Sequence, residues 1–112
     1  LSTILDNGWG TLMQDLESHG LLESTTILWM GEFGRTPKIN PTAGRDHFPN
    51  AWTSVLAGGG IAGGQAYGAT SADGTEVIDG KIGVQDLLST LCEAIGLGST
   101  PSNMAPSGRP IP

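Results

Sequence analysis

Residues 25–60, TTILWMGEFGRTPKINPTAGRDHFPNAWTSVLAGGG, decide the fold. Two short apolar runs, residues 25–30 and 52–57, are too short for helices and carry the β-branched and aromatic side chains of buried strands. Between them, residues 31–50 hold three glycines, three prolines and most of the basic side chains, so no regular element is predicted there. The glycines at 58–60 end the second run, where backbone without side chains can approach a neighbour closely.

On either side of this segment the period changes. Leu1, Ile4, Leu5, Trp9, Leu12, Met13 and Leu16 recur at three- and four-residue spacing, which predicts a helix over 1–19 with one buried stripe, capped by Gly20. Val84, Leu87, Leu88, Leu91 and Ile95 repeat the helical period, and Gly96 closes a second helix over 84–95. Ala72-Asp73-Gly74 reads as a hairpin turn with arms at 67–70 and 75–78. Helix, turn, buried strand is an α/β unit, so the expected class is α/β. Residues 1–98 are expected to form one unit, and 99–112 a Pro-rich tail, extended or disordered.

Composition narrows the function classes. Only 14% of the 112 residues are charged, against ~25% in an ordinary soluble domain. Eleven acids against five bases leave a net charge of −6, unsuited to a phosphate-backbone binder, so nucleic acid is not an expected partner. No apolar run reaches the ~18 residues of a membrane span. Cys92 is the only cysteine, which excludes an internal disulfide and any multi-cysteine zinc site. The chain opens at Leu1 inside an amphipathic pattern, which suggests a fragment or a processed chain.

Long loops in compact domains are often functional, so residues 31–50 are where chemistry is expected. Glu32 follows the first strand, at the kind of strand end where open α/β sheets bind ligands. Asp46 and His47 precede the second strand, so converging loop ends would bring carboxylates and an imidazole around one divalent metal ion. The same residues also read as a solvated acid, or a partner of Arg35, and a hydrogen-bonded loop histidine. Arg35 and Arg45 suit bidentate contacts to an anionic oxyester, or equally to Glu32, Asp46 or a backbone carbonyl. The stretch GGGIAGG lacks the GxxxxGK[ST] pattern of a phosphate loop, and no GxSxG nucleophile elbow is present.

The strings WMGEFGRTPKIN, GRDHFPNAW, VLAGGGIAGGQAYGAT and DLLSTLCEAIGL together closely resemble the C-terminal part of the bacterial domain-of-unknown-function family 1501. That resemblance implies membership of the alkaline phosphatase and sulfatase superfamily. The expected architecture is then a C-terminal fragment of a sulfatase-like sandwich, with helices packed on a largely parallel sheet. Superfamily enzymes carry an Asp-His-Gly metal motif after a buried strand and a further His before the next. Here Glu32-Phe33-Gly34 stands at the first place and Asp46-His47 at the second, while Asp86 and Thr90 match an Asp-x-x-x-Thr pattern before an apolar run. Phe33 replaces a metal-binding His, so the two-metal site would lose one nitrogen ligand.

On this resemblance the chain contributes Glu32, His47 and Asp46 to a divalent-metal site that hydrolyses sulfate or phosphate esters, including those of glycans, with Arg35 and Arg45 on the substrate. The nucleophile is expected upstream, so these 112 residues alone would not turn over a substrate. The alternative is a non-catalytic relative whose 31–50 loop binds a glycan, an anion or a protein, Phe33 marking the lost ligand. A third reading has the loop tie two strands together through Arg–carboxylate pairs. Family members usually carry a twin-arginine export signal, which implies an exported protein, though this chain shows no such segment.

Overall fold

A computed structural model of the chain describes residues 2–98 and 103–111. The first helix, α1, spans Ser2–Ser18, as the periodicity predicts. Its end is closed where the Leu21 N–H reaches back to the Leu16 carbonyl at 2.8 Å and Gly20 N–H to Glu17 at 3.0 Å. A 3-10 turn, Leu22–Ser24, leads into strand β1, Thr26–Trp29. Then follow β2 (Gly34–Arg35), β3 (His47–Phe48) and β4 (Val55–Gly58). The later part holds β5 (Ala69–Thr70), β6 (Val77–Asp79), α2 (Val84–Ala94), β7 (Asn103–Met104) and β8 (Pro110–Ile111).

The strands form four separate two-stranded antiparallel sheets, β1–β4, β2–β3, β5–β6 and β7–β8. This corrects the expected sulfatase-like sandwich with a largely parallel sheet. The reason lies in the connection: a parallel neighbour needs a crossover, usually a helix, whereas residues 30–54 fold back as strand, turn and strand. Thr26 faces Gly58 and Trp29 faces Val55 in the outer ladder, and Gly34 faces Phe48 and Arg35 faces His47 in the inner one. The two ladders are nested, so the long segment between the apolar runs is the far end of one interrupted hairpin.

Burial is thin. Gly34, Ala51 and Leu87 are the buried positions among the described residues, and α1 has none. The accessible surface is 8667 Å², against about 5,800 Å² for a compact monomer of 11.5 kDa. The radius of gyration is 17.1 Å, where a compact chain of this length has about 13 Å. Trp9 of α1 meets Trp29 of β1 with ring centroids 5.7 Å apart, and α2 packs against β1. The glycine run at 58–60 serves close approach, as its position suggests: Gly58 lies against the Thr25 carbonyl, with φ +83°, and Gly60 against Ala94 of α2.

The later elements follow local chemistry. The β5–β6 turn is tied by Asp73, whose carboxylate accepts from Ser71 Oγ at 2.7 Å and Thr75 Oγ1 at 2.8 Å. Asp86 and Thr90, the pair matched to a superfamily pattern, act within α2. Asp86 Oδ2 accepts the Gly83 N–H at 2.7 Å, and Thr90 Oγ1 donates to the Asp86 carbonyl at 2.8 Å. The tail is not featureless where it is described: Ala105 N–H donates to Arg109 and Gly108 N–H to Ala105, both at 2.8 Å, closing the β7–β8 hairpin. The rest of that expectation, over 99–102 and 112, lies outside the described residues. No helix among the described residues is long and apolar enough to cross a membrane.

Candidate functional site

The hairpin built on β2 and β3 positions the predicted site residues. It closes only because Gly34 is a glycine: a Cβ there would lie 2.9 Å from the Phe48 carbonyl oxygen and 2.9 Å from Trp52 Cβ. With that close approach, Arg35 and His47 become direct cross-strand partners. The loop ends therefore do converge, as the sequence reading requires. Above the ladder, Thr36 N–H donates to the Asp46 carbonyl at 3.0 Å and Asp46 N–H returns to Thr36 Oγ1 at 3.1 Å.

Asn40 organises the tip. Its Oδ1 accepts from Thr42 Oγ1 at 2.8 Å, Gly44 N–H at 2.9 Å and Thr42 N–H at 3.1 Å, while Nδ2 donates to Asp46 Oδ1 at 2.9 Å. The backbone closes around it through Asn40 N–H to the Gly44 carbonyl at 2.8 Å. A shallow cleft of about 500 Å³ beside this tip is lined by Thr36, Lys38, Ile39, Asn40, Pro41 and Asp46.

The two arginines have different work. Arg45 donates to the Thr36 carbonyl at 2.7 Å and also to the Pro37 carbonyl, so it braces the tip from within. Arg35 gives one N–H to the Arg45 carbonyl at 3.3 Å and sets its guanidinium 5.5 Å from the centre of the Phe33 ring. The Phe33 ring also packs on the His47 imidazole, with centroids 4.0 Å apart. Phe33, which the resemblance marks as a missing ligand, is thus the common floor of the arginine and the histidine.

Glu32, Asp46 and His47 are all exposed, and the Asp46 carboxylate is engaged by Asn40. Among the described residues no group of three or more His, Cys, Asp or Glu lies close enough to hold a metal ion. That finding, with the antiparallel pairing, corrects the expectation of a metal-binding hydrolase of the sulfatase or phosphatase kind. The sequence reading missed Asn40, although Asn40-Pro41-Thr42 is a turn signal, and it passed over Lys38.

The whole chain, residues 1–112, matches the model of a family described as protein of unknown function (DUF1501), and the chain belongs to that family. No curated protein and no solved structure matches it.

Proposed function

We propose that this DUF1501-family chain is a non-catalytic binding module whose 34–48 hairpin recognises the acidic group of a ligand. The observation that carries the reading is the placement of Arg35, stacked on Phe33 beside His47, with one N–H spent on the hairpin and the rest of a five-donor fork left to bind. Charge supports it: residues 31–50 hold Arg35, Lys38 and Arg45, three of the five Lys and Arg in a chain of net charge −6. Lys38, on the neighbouring cleft, supplies a second cation, and Ile39, 58% exposed, offers apolar surface to the body of the ligand.

The test uses citrate and a polyuronate glycan as probes, titrated into the chain by calorimetry. Loss of a charge-assisted hydrogen bond of ~1.5–3 kcal/mol predicts that Arg35→Ala weakens binding about 10- to 100-fold. Binding that survives EDTA unchanged is expected. Arg35→Ala binding as tightly as the parent, or neither probe binding the parent, would overturn the proposal.

A further inference from the structure

We infer that the acidic ligand of the hairpin is a sugar-acid oligomer whose ring hydroxyls enter the cleft between Lys38 and Asp46. The inference rests on the binding reading of Arg35 and names the class of ligand. At about 500 Å³ the cleft is in the size range of small-molecule sites. Most of its polar groups are already engaged. Thr36 Oγ1 donates to the Lys38 carbonyl at 2.9 Å and accepts the Asp46 N–H at 3.1 Å. Asn40 Oδ1 takes three donors, and Asn40 Nδ2 donates to Asp46 Oδ1 at 2.9 Å. Two charged groups are left over. Among the described residues, no hydrogen bond reaches Asp46 Oδ2 or leaves the Lys38 ammonium.

A carboxylate only accepts and an ammonium only donates, so a ligand that satisfies both offers donors and acceptors side by side. Vicinal hydroxyls do this, whereas a ligand of carboxylates alone suits Lys38 and is repelled by Asp46. Ile39 and Pro41 give the C–H face of a sugar ring its apolar contact. The length of the ligand follows from the ladder. Thr36 and Asp46 each stand one position from the Arg35–His47 pair, and consecutive side chains along an extended chain point to opposite faces, so Arg35 and the cleft lie on either side of the hairpin. The Arg35 guanidinium is bonded to the Arg45 carbonyl, next in the chain to Asp46, which brings the two sites around one edge. A ligand that reaches both is longer than one sugar unit, with a carboxylate on Arg35 and a neighbouring unit's hydroxyls on Asp46 and Lys38.

Calorimetry on the 112-residue chain with trigalacturonate and tricarballylate separates the ligand class from the binding reading. Each probe carries three carboxylates, and only the first has ring hydroxyls. The parent is expected to bind trigalacturonate at least about 10-fold more tightly. Asp46→Asn keeps the oxygen that accepts from Asn40 and removes a negative charge, so it should tighten tricarballylate binding or leave it unchanged, yet weaken trigalacturonate binding about 10-fold. Exchange of the Thr36 amide, bonded to the Asp46 carbonyl, reports whether the variant keeps its tip. Equal affinity of the parent for the two probes, or tighter binding of both by Asp46→Asn, would overturn the sugar assignment while Arg35→Ala, by weakening both, left the binding reading standing. An equal loss for both probes in Asp46→Asn would overturn it as well, because Asp46 would then act through the tip. Binding of neither probe to the parent would overturn the binding reading and the inference together.

Discussion

A methyl group placed on Gly34 tests whether the site depends on strand approach. The added carbon would press on the Phe48 carbonyl oxygen and Trp52 Cβ, each at 2.9 Å, and more closely still on the Ala51 carbonyl oxygen. Two of these three atoms are backbone, which cannot rotate away, so the upper end of the ~1–3 kcal/mol range for overpacking applies. About 3 kcal/mol corresponds to a roughly 100-fold increase in opening of the β2–β3 ladder. Hydrogen exchange at the Thr36 amide, bonded to the Asp46 carbonyl at 3.0 Å across that hairpin, reads the opening directly. Gly34→Ala is expected to lower its protection by about 100-fold. Gly44→Ala is the control, because its Cβ meets the Asn40 amide at 3.5–3.6 Å, an ordinary contact, and protection should change by less than about threefold. Protection in Gly34→Ala within about threefold of the parent would refute the steric reasoning.

Asp86→Ala removes the acceptor of the Gly83 N–H and should cost α2 about 1 kcal/mol, seen as faster exchange of the Leu87 amide, which bonds to the Gly83 carbonyl. An unchanged Leu87 rate would show that the helix start is held otherwise. Hydrogen bonds from Ser71 and then Thr75 hold the Asp73 carboxyl below its ordinary value of 3.8. A lowered folded-state value means that its stabilisation is full above 3.8 and is lost as pH falls through the folded value. The Thr75 amide resonance should therefore shift only below that point, and Asp73→Asn should abolish the transition; a transition retained in the variant contradicts the assignment.

Much of the secondary structure was legible because it is written in local signals. The span of α1, the start and stop of α2 and the Ala72-Asp73-Gly74 turn depend on neighbours a few residues away, and they form where predicted, whereas the buried stripe expected on α1 is absent because no residue of that helix is buried. Strand direction was not legible. The runs at 25–30 and 52–57 look alike in a parallel or an antiparallel sheet, and the intervening residues decide between them. Their two-residue ladder, Gly34–Arg35 on His47–Phe48, is too short to show a period. The site was legible in part for the same reason: the ladder sets Arg35 against His47, and both were named from sequence. Phe33 was read as a lost ligand because a side chain's role as packing floor depends on the ring across the hairpin.

The hairpin gains its order from a source other than the one a sequence reader looks for. The core is thin, yet the tip carries a dense set of bonds from side chain to backbone, with Asn40, Thr36 and Arg45 each holding more than one partner. Such bonds are individually worth about 1 kcal/mol, and together they fix a loop without apolar burial. Because the brace is polar and local, the hairpin's shape does not depend on what covers α1. A helix-face variant such as Leu12→Ala should therefore leave probe binding at Arg35 intact. Weakened probe binding in that variant would mean that the tip is held from the helix side, not by Asn40 and Arg45.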